Sequence, residues 1–309
     1  MNLMKAIEKV LICGVGAVGS IYANKINNFD STNLRVLVDK TRYEKYLKNP
    51  KIFNGKTLDL NYILPENTDY KADLIIIATK YDGLKDSIKN IKNFVKEDTI
   101  IISLLNGVTS EEEIAAEYGW EHLLLAYFIG HSVMREGNNI VFDGVGDIVF
   151  GGRFNNDNDK KNIELVKNYF GRVGISYNIP EDMYRALWLK YMLNVGSNQP
   201  SAILGMTFGQ MQKNKTFRQF FINIMKEVQN IAEASGVNNT ETMIDEALCA
   251  FDKMIPDGKT SMLQDVEAKR QTEVDMFAGA MVKFGEKYNI PTPYNKVLKE
   301  MIEVVHENY

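Results

Sequence analysis

The chain is poor in the residues that build metal centres and disulfide scaffolds. Its 309 residues include two cysteines, Cys13 and Cys249, and three histidines, His122, His131 and His306. Two cysteines cannot supply a disulfide framework. No histidine stands at metal-ligand spacing from another or from a cysteine, so no metal site is expected. An excess of one charge is also lacking: 36 lysines and arginines face 40 aspartates and glutamates, a net −4. That balance carries no basic footprint for nucleic acid or an anionic membrane. Long apolar runs are missing at the start, where MNLMKAIEKVLICG has only four consecutive apolar residues before its first glycine. Such a run is too short for a signal-peptide core or a membrane span, and a cytoplasmic protein is expected. Neither a G-x-S-x-G nucleophile turn nor a P-loop lysine occurs.

What is present falls into two rhythms. Up to about residue 130, the near-continuous apolar runs VLICG (10–14), LRVLVD (34–39), ADLIIIATK (72–80), TIIISLLNG (99–107) and HLLLAYFI (122–129) alternate with amphipathic or polar connections. That is the βαβ pattern of a parallel sheet buried on both faces. NNIVFDGVGDIVFGG (138–152) reads as an antiparallel hairpin at the sheet edge, and ISYNIP (175–180) as one more strand. From Glu181 onward helical patterns cover 182–198, 216–236, 240–254, 262–288 and 293–307, with breaks at NQPSAILG, SGVNN, IPDGKTS and NIPTP. The expected fold is an α/β, Rossmann-type dinucleotide-binding domain over 1–180, followed by an all-helical substrate-binding domain over 181–309.

VLICGVGAVGS sets Gly14, Gly16 and Gly19 in G-x-G-x-x-G spacing between a strand and a helix. The residues Gly14, Val15, Gly16, Ala17, Val18 and Gly19 would then wrap a pyrophosphate, with the helix N-terminus offering unpaired N–H groups. An S-adenosylmethionine methyltransferase loop is the competing reading. Asp39 ends the second run, 20 residues after Gly19, where an acid accepts from a ribose 2′-hydroxyl and favours NAD(H). Lys40 and Arg42 follow at once and suit a 2′-phosphate; a plain solvated turn, with Asp39 capping the next helix, is the third option. Lys80 and Asn106 close the third and fourth runs, where doubly wound sheets bind ligands. Each is equally readable as local structure, a solvated strand end and an Asn-Gly turn.

The helix beginning the second half contains WLKYMLNVGSN, in which Lys190, Asn194 and Asn198 recur every four residues among apolar neighbours. That spacing sets an ammonium and two carboxamides on one narrow face. Opposite a nicotinamide, a lysine can protonate the oxygen of a carbonyl receiving hydride, and carboxamides can orient the substrate. Alternatively Lys190 reaches solvent and the asparagines bond backbone. A second polar set lies in KTSMLQDVEAKRQTEVD (259–275). Ser261 with Gln264 resembles a capping box, and Glu273 reads either as an exposed helical acid near Lys269 or Arg270, or as a partner that orients Lys190.

Together GVGAVGS, ATKYDGLKD, LLNG, LWLKYMLNVGSNQPSAILG and SMLQDVEAKRQTEVD resemble the ketopantoate reductase, or 2-dehydropantoate 2-reductase, family along essentially the whole chain. The resemblance implies a Rossmann domain plus a helical domain, and reduction of 2-dehydropantoate to pantoate with NADPH in coenzyme A biosynthesis, NADH remaining open. It implies Lys190 as general acid assisted by Glu273; Asn194 and Asn198 on substrate hydroxyl or carbonyl groups; Ser261 on the carboxylate; Asn106 between nicotinamide and substrate; and Lys80 and Glu273 on the cofactor. The expected partner is a small 2-oxo acid, a homodimer being the one protein assembly considered. The chain departs from the pattern in Gln199, which stands before Pro200, and in GMTFGQM, which lacks an asparagine found in some relatives. Reduction of another 2-oxo acid and a non-catalytic dinucleotide sensor are the alternatives. One conflict also yields an expectation. Twelve residues of straight helix separate Ser261 from Glu273 by about 18 Å and about 120° of rotation. For both to serve one small acid, the helical pattern over 262–288 must break.

Overall fold

The apolar runs of the first half become interior strands. The computed structural model describes residues 6–130 and 133–309, so His131 and the first five residues of the opening stretch lie outside the described residues. The chain divides into two compact units, Met1–Leu105 with Ser110–Met183, and Asn106–Thr109 with Tyr184–Tyr309.

The first unit holds β1 (Val10–Cys13), β2 (Leu34–Leu37), β3 (Lys51–Phe53), β4 (Lys56–Leu58), β5 (Tyr62–Ile63), β6 (Leu74–Ile77), β7 (Ile100–Ser103), β8 (Leu123–Gly130), β9 (Val133–Glu136), β10 (Asn139–Phe142), β11 (Gly146–Gly151) and β12 (Tyr177–Asn178). Eight of them form one sheet in the order β12-β11-β8-β7-β6-β1-β2-β5. Neighbours from β5 to β8 run parallel, and only β11 is antiparallel to its neighbour β8. β1, β6 and β7 are buried at every residue, which is why their sequences are unbroken aliphatic runs. The chain leaves β1 toward β2 on one side and returns through β6 on the other. The carboxyl end of β1 is therefore a switch point of the topology, where open α/β sheets bind ligands.

The hairpin expected over 138–152 does not form. β10 pairs with β9 and β3 in a separate four-stranded sheet of order β4-β3-β10-β9, while β11 joins β8 and β12 in the large sheet. Gly144, between them, and Gly146, the first residue of β11, have φ of +93° and +155°, and the chain crosses from one sheet to the other instead of folding back. Their burial differs to match: Ile148–Gly151 is enclosed on both faces, whereas β10 alternates exposed and buried. In β3 of the small sheet Lys51 is fully buried, its Nζ 4.9 Å from the centre of the Tyr46 ring and without a hydrogen-bond partner among the described residues. Burial, then the nearby charges of Arg135 and Lys45, push its pKa down to about 8.

The second unit is helical: Met183–Leu204 (begun at the end of the first unit), Phe208–Lys213, Lys215–Ala234, Met243–Asp252, Ser261–Glu267, Ala278–Tyr288 and Pro293–Glu307. Its aromatic core includes Trp188, whose ring meets Tyr191 at 5.6 Å and Phe284 at 5.7 Å. A Cβ on Gly196 would stand 2.2 Å from the Phe221 ring, so glycine there permits helix Lys215–Ala234 to pack close. The break expected at NQPSAILG is absent, and the helix runs through Pro200 to Leu204. A proline interrupts a helix by removing an N–H and crowding the carbonyl one turn back. Here residues 195–202 are all buried, and this packing holds the helix together across the defect. The break expected within 262–288 is present: helix ends at Glu267 and resumes at Ala278, with one 3₁₀ turn, Val274–Met276, between.

Candidate active site

The three glycines after β1 differ in what requires them. Gly14 has φ +94°, and a Cβ there would lie 2.8 Å from the Ala78 carbonyl. A Cβ on Gly19 would lie 1.9 Å from Gly14 O, so helix and turn could not pack. Gly16 has an ordinary φ of −73°, and no described atom lies within 4 Å of its missing Cβ. Packing thus accounts for Gly14 and Gly19, while Gly16 leaves a bare backbone facing open space. Helix Ala17–Phe29 starts there with no side-chain cap and no acid in its first turn, so its leading N–H groups remain for an anion. Val15 is buried, and Ser20 Oγ donates to its carbonyl at 3.2 Å; its contribution to the turn is backbone. These features fit a dinucleotide pyrophosphate.

At the end of β2, Asp39 caps helix Lys40–Lys48. Its Oδ1 accepts from Arg42 N at 2.7 Å and its Oδ2 from Arg42 Nη1 at 2.5 Å. The acid and the guanidinium expected to compete for a ribose are therefore paired with each other, on an exposed surface beside the exposed Lys40. Lys80 is exposed and precedes the 3₁₀ turn Tyr81–Gly83. Cys13 is buried, and burial raises its thiol pKa, which removes it as a nucleophile.

The second unit gathers the remaining residues into two hydrogen-bonded groups. Lys190 Nζ donates to Asn106 Oδ1 at 3.2 Å, and Asn106 Nδ2 donates to Glu273 Oε2 at 2.9 Å. The carboxamide is a bridge, its oxygen toward the cation and its nitrogen toward the anion, the one orientation that satisfies both. Gly107, at φ +97°, lets this loop approach the next segment, since a Cβ there would lie 2.9 Å from Met276 Cε. One turn along the helix from Lys190, about 6 Å on, the second group begins. Asn198 Nδ2 donates to Asn194 Oδ1 at 3.4 Å, and Asn198 Oδ1 accepts from Ser261 Oγ at 3.1 Å and Met262 N at 3.3 Å.

Ser261 is not the N-cap. Thr260 is, its Oγ1 accepting from Leu263 N at 3.2 Å and donating to Ser201 Oγ at 3.1 Å. That shift of one residue releases the Ser261 hydroxyl to reach Asn198. Beyond Glu267 the chain turns through Lys269 in a left-handed conformation, φ +50°, and Arg270 is held by Asp265 at 2.8 Å. Glu273 therefore sits on irregular backbone before the 3₁₀ turn, and not on a helix face beside Lys269 and Arg270. Two braces escaped sequence reasoning. Gln199, fully buried, accepts from Ala278 N at 3.0 Å and donates to Val195 O at 3.2 Å. Tyr191 Oη donates to Phe277 O at 2.9 Å. The only signal for the first was its departure from the family pattern. Among the described residues no group of three His, Cys, Asp or Glu side chains could hold a metal ion.

The chain is 26% identical over 306 residues to 2-dehydropantoate 2-reductase of Aquifex aeolicus, covering 96% of each. Among solved structures, D-mandelate dehydrogenase in a ternary structure with NADH and anilino(oxo)acetate matches with a TM-score of 0.84 at 23% identity, covering 97% of this chain and 99% of that one. Dimeric ketopantoate reductase from Staphylococcus aureus matches with a TM-score of 0.75 at 21% identity, covering 97% and 99%. At these identities the solved structures speak to the fold. Residues 10–154 match the family described as ketopantoate reductase PanE/ApbA, and residues 182–306 match its C-terminal counterpart. Matched in both halves, the chain belongs to the ketopantoate reductase family, a family of oxidoreductases.

Proposed function

We propose that the protein reduces 2-dehydropantoate to pantoate with NADPH, in coenzyme A biosynthesis. The observation that carries the reading is the bridge Lys190–Asn106–Glu273 beside Asn194. A bound nicotinamide supplies the hydride to the keto carbon. Lys190 Nζ gives a proton to the carbonyl oxygen as negative charge develops there, then regains one from solvent. Glu273, acting through Asn106, keeps the ammonium charged and oriented, and Asn106 lies between the cofactor and substrate ends of the reaction. Asn194 and Asn198 receive the hydroxyl and carbonyl groups of the substrate, and Ser261 receives its carboxylate. Gly14–Gly19 take the pyrophosphate, and Lys80 contacts the cofactor. The preference for NADPH rests on charge at the end of β2: Lys40 and Arg42 against Asp39 leave one net positive charge, and the acid is already engaged by Arg42. Residues 1–180 and 181–309 act as cofactor and substrate domains, with the polar face of helix Met183–Leu204 as a substrate-facing wall.

One observation favours a second substrate. In GMTFGQM the polar Thr207 is consumed by a capping box with Gln210, leaving that stretch short of a contact for a substrate hydroxyl. The second reading is a branched 2-oxo acid lacking the hydroxyl group. Consumption of NADPH and NADH with 2-dehydropantoate, and with its analogue 3,3-dimethyl-2-oxobutanoate, tests both. A higher kcat/KM for 2-dehydropantoate with NADPH is expected. Preference for the analogue moves the assignment to the second reading, and no turnover with any 2-oxo acid removes both.

A further inference from the structure

Glu273, the acid of the Lys190–Asn106–Glu273 bridge, stands where neither helix nor strand holds it. Helix Ser261–Glu267 has ended, helix Ala278–Tyr288 has not begun, and the 3₁₀ turn Val274–Met276 starts only after it. A carboxylate on irregular backbone keeps its place when other parts of the chain tie the segment down. Such ties exist on both sides of Glu273, and the side chains that make them stand outside the bridge.

After Glu273, one peptide unit is gripped at both ends. The carbonyl of Phe277 accepts from Tyr191 Oη at 2.9 Å, and the N–H of Ala278 donates to Gln199 Oε1 at 3.0 Å. In a trans peptide these two groups point in opposite directions, so the two bonds together fix the plane and the direction of the unit. Tyr191 and Gln199 lie on helix Met183–Leu204, about 12 Å apart along its axis, and Lys190 is the chain neighbour of Tyr191. Both side chains are buried. The Tyr191 ring stacks on Phe277 at 6.4 Å, and Gln199 Nε2 donates to Val195 O at 3.2 Å, so each grip is itself held. Helix Ala278–Tyr288 has no side-chain cap from its own N-cap residue, and Gln199 supplies the acceptor from another helix. Before Glu273, Thr272 N donates to His306 Nε2 at 3.2 Å. The residue next to the acid is thus held by helix Pro293–Glu307, through a ring nitrogen that accepts and so carries no proton.

The helix that presents Lys190 therefore also fixes the segment that presents Glu273. We infer that Gln199 and Tyr191, with His306, are positioning residues that hold the Glu273 carboxylate within reach of Asn106. The bond they protect is Asn106 Nδ2 to Glu273 Oε2, 2.9 Å long, and a displacement of about 1 Å would break it. Gln199 has the largest share, because its position in the chain departs from the family pattern and its acceptor serves the first N–H of the following helix. The inference rests on the reading of Glu273 as the support of the Lys190 ammonium.

Steady-state kinetics on the full chain, with NADPH and 2-dehydropantoate, test it. Gln199→Leu, similar in volume but without an acceptor, should lower kcat at least about tenfold, with KM for the oxo acid within about twofold. Tyr191→Phe, which deletes only the hydroxyl at the other end of the same peptide, should act in the same direction and serves if Gln199→Leu does not fold. His306→Leu should lower kcat less, and His306→Gln, whose carboxamide oxygen can take the place of Nε2, should restore it. Hydrogen–deuterium exchange over residues 268–277 should quicken in the Leu and Phe variants, whatever the substrate. In a Glu273→Gln background, Gln199→Leu should cost less than about twofold further, since no carboxylate is left to place. A Gln199→Leu effect equally large in that background overturns the inference, as does unchanged kcat or unchanged exchange in Gln199→Leu and Tyr191→Phe. Wild-type kcat in Glu273→Gln alone removes the reading of Glu273, and the inference with it.

Discussion

The proposed cofactor turn and the proposed substrate helix are built by opposite means. The turn leaves side chains out: Gly16 offers bare backbone, with no described atom near its missing Cβ position. The helix puts side chains in, an ammonium and two carboxamides on a face otherwise suited to a core. The first needs only local geometry, three glycines at fixed spacing after a strand. The second needs partners 63 to 84 residues away in sequence, Ser261 for Asn198 and Asn106 for Lys190. A site made of backbone should fail through steric intrusion, and a site made of long-range side-chain bonds through loss of one partner.

Apart from loss of Lys190 itself, the largest expected effect breaks the side-chain site at its bridge. Asn106→Leu removes the acceptor for Lys190 and the donor to Glu273 together, and kcat should fall by about 10²–10³, the range for losing one preorganised polar partner. Stopped-flow or steady-state cofactor oxidation measures it; retention of more than half the activity would separate the bridge from the chemistry.

Within the glycine turn the same logic splits two glycines. Gly16→Val should weaken dinucleotide binding at least tenfold, read by fluorescence titration, with the melting temperature nearly unchanged. Gly19→Ala should do the reverse in kind. Its Cβ meets Gly14 O, and overpacking of this sort costs about 1–3 kcal/mol, seen as a lower melting temperature before any cofactor is added. If both act on stability alone, the turn is structural.

A smaller change concerns the end of β2. Arg42→Ala frees Asp39 and removes one positive charge, so the ratio of kcat/KM for NADPH over NADH should fall by about tenfold, a loss of about 1.4 kcal/mol. An unchanged ratio would move phosphate recognition away from Arg42.

The smallest effect lies away from both sites and tests whether burying an ammonium without a hydrogen-bond partner is costly. Lys51→Met should raise the melting temperature by about 2–5 °C at neutral pH. The pKa of Lys51 in the folded chain, about 8, lies below the ordinary lysine value. Between about pH 8 and 10.4 the unfolded chain therefore holds more protons, and wild-type stability rises with pH. The advantage of the variant should be full below pH 8 and fade by about pH 10.4. Thermal melts across that range check the sign.

The same contrast explains what was legible in the sequence. The buried strands and glycine turn follow from local runs and spacing, and the helical second half from period and breaks. The destination of β10 and β11 was not legible, because pairing is decided by which sheet has an open edge and by the positive φ at Gly144 and Gly146. Pro200 looked like a stop, and the burial of its neighbours overrode it. Lys190, Asn194 and Asn198 were recognisable as a stripe. That Asn106 joins Lys190 to Glu273, and that Thr260 caps the helix so that Ser261 is released, depends on contacts across the fold that no spacing rule contains.

The proton-donor role proposed for the ammonium at the head of the stripe is read from kcat of Lys190→Ala against wild type, at saturating NADPH and 2-dehydropantoate, with dinucleotide affinity measured in parallel. A fall of about 10²–10⁴ in kcat is expected, the range for a general acid, with cofactor affinity and melting temperature little changed. Near-wild-type turnover in that variant would contradict it.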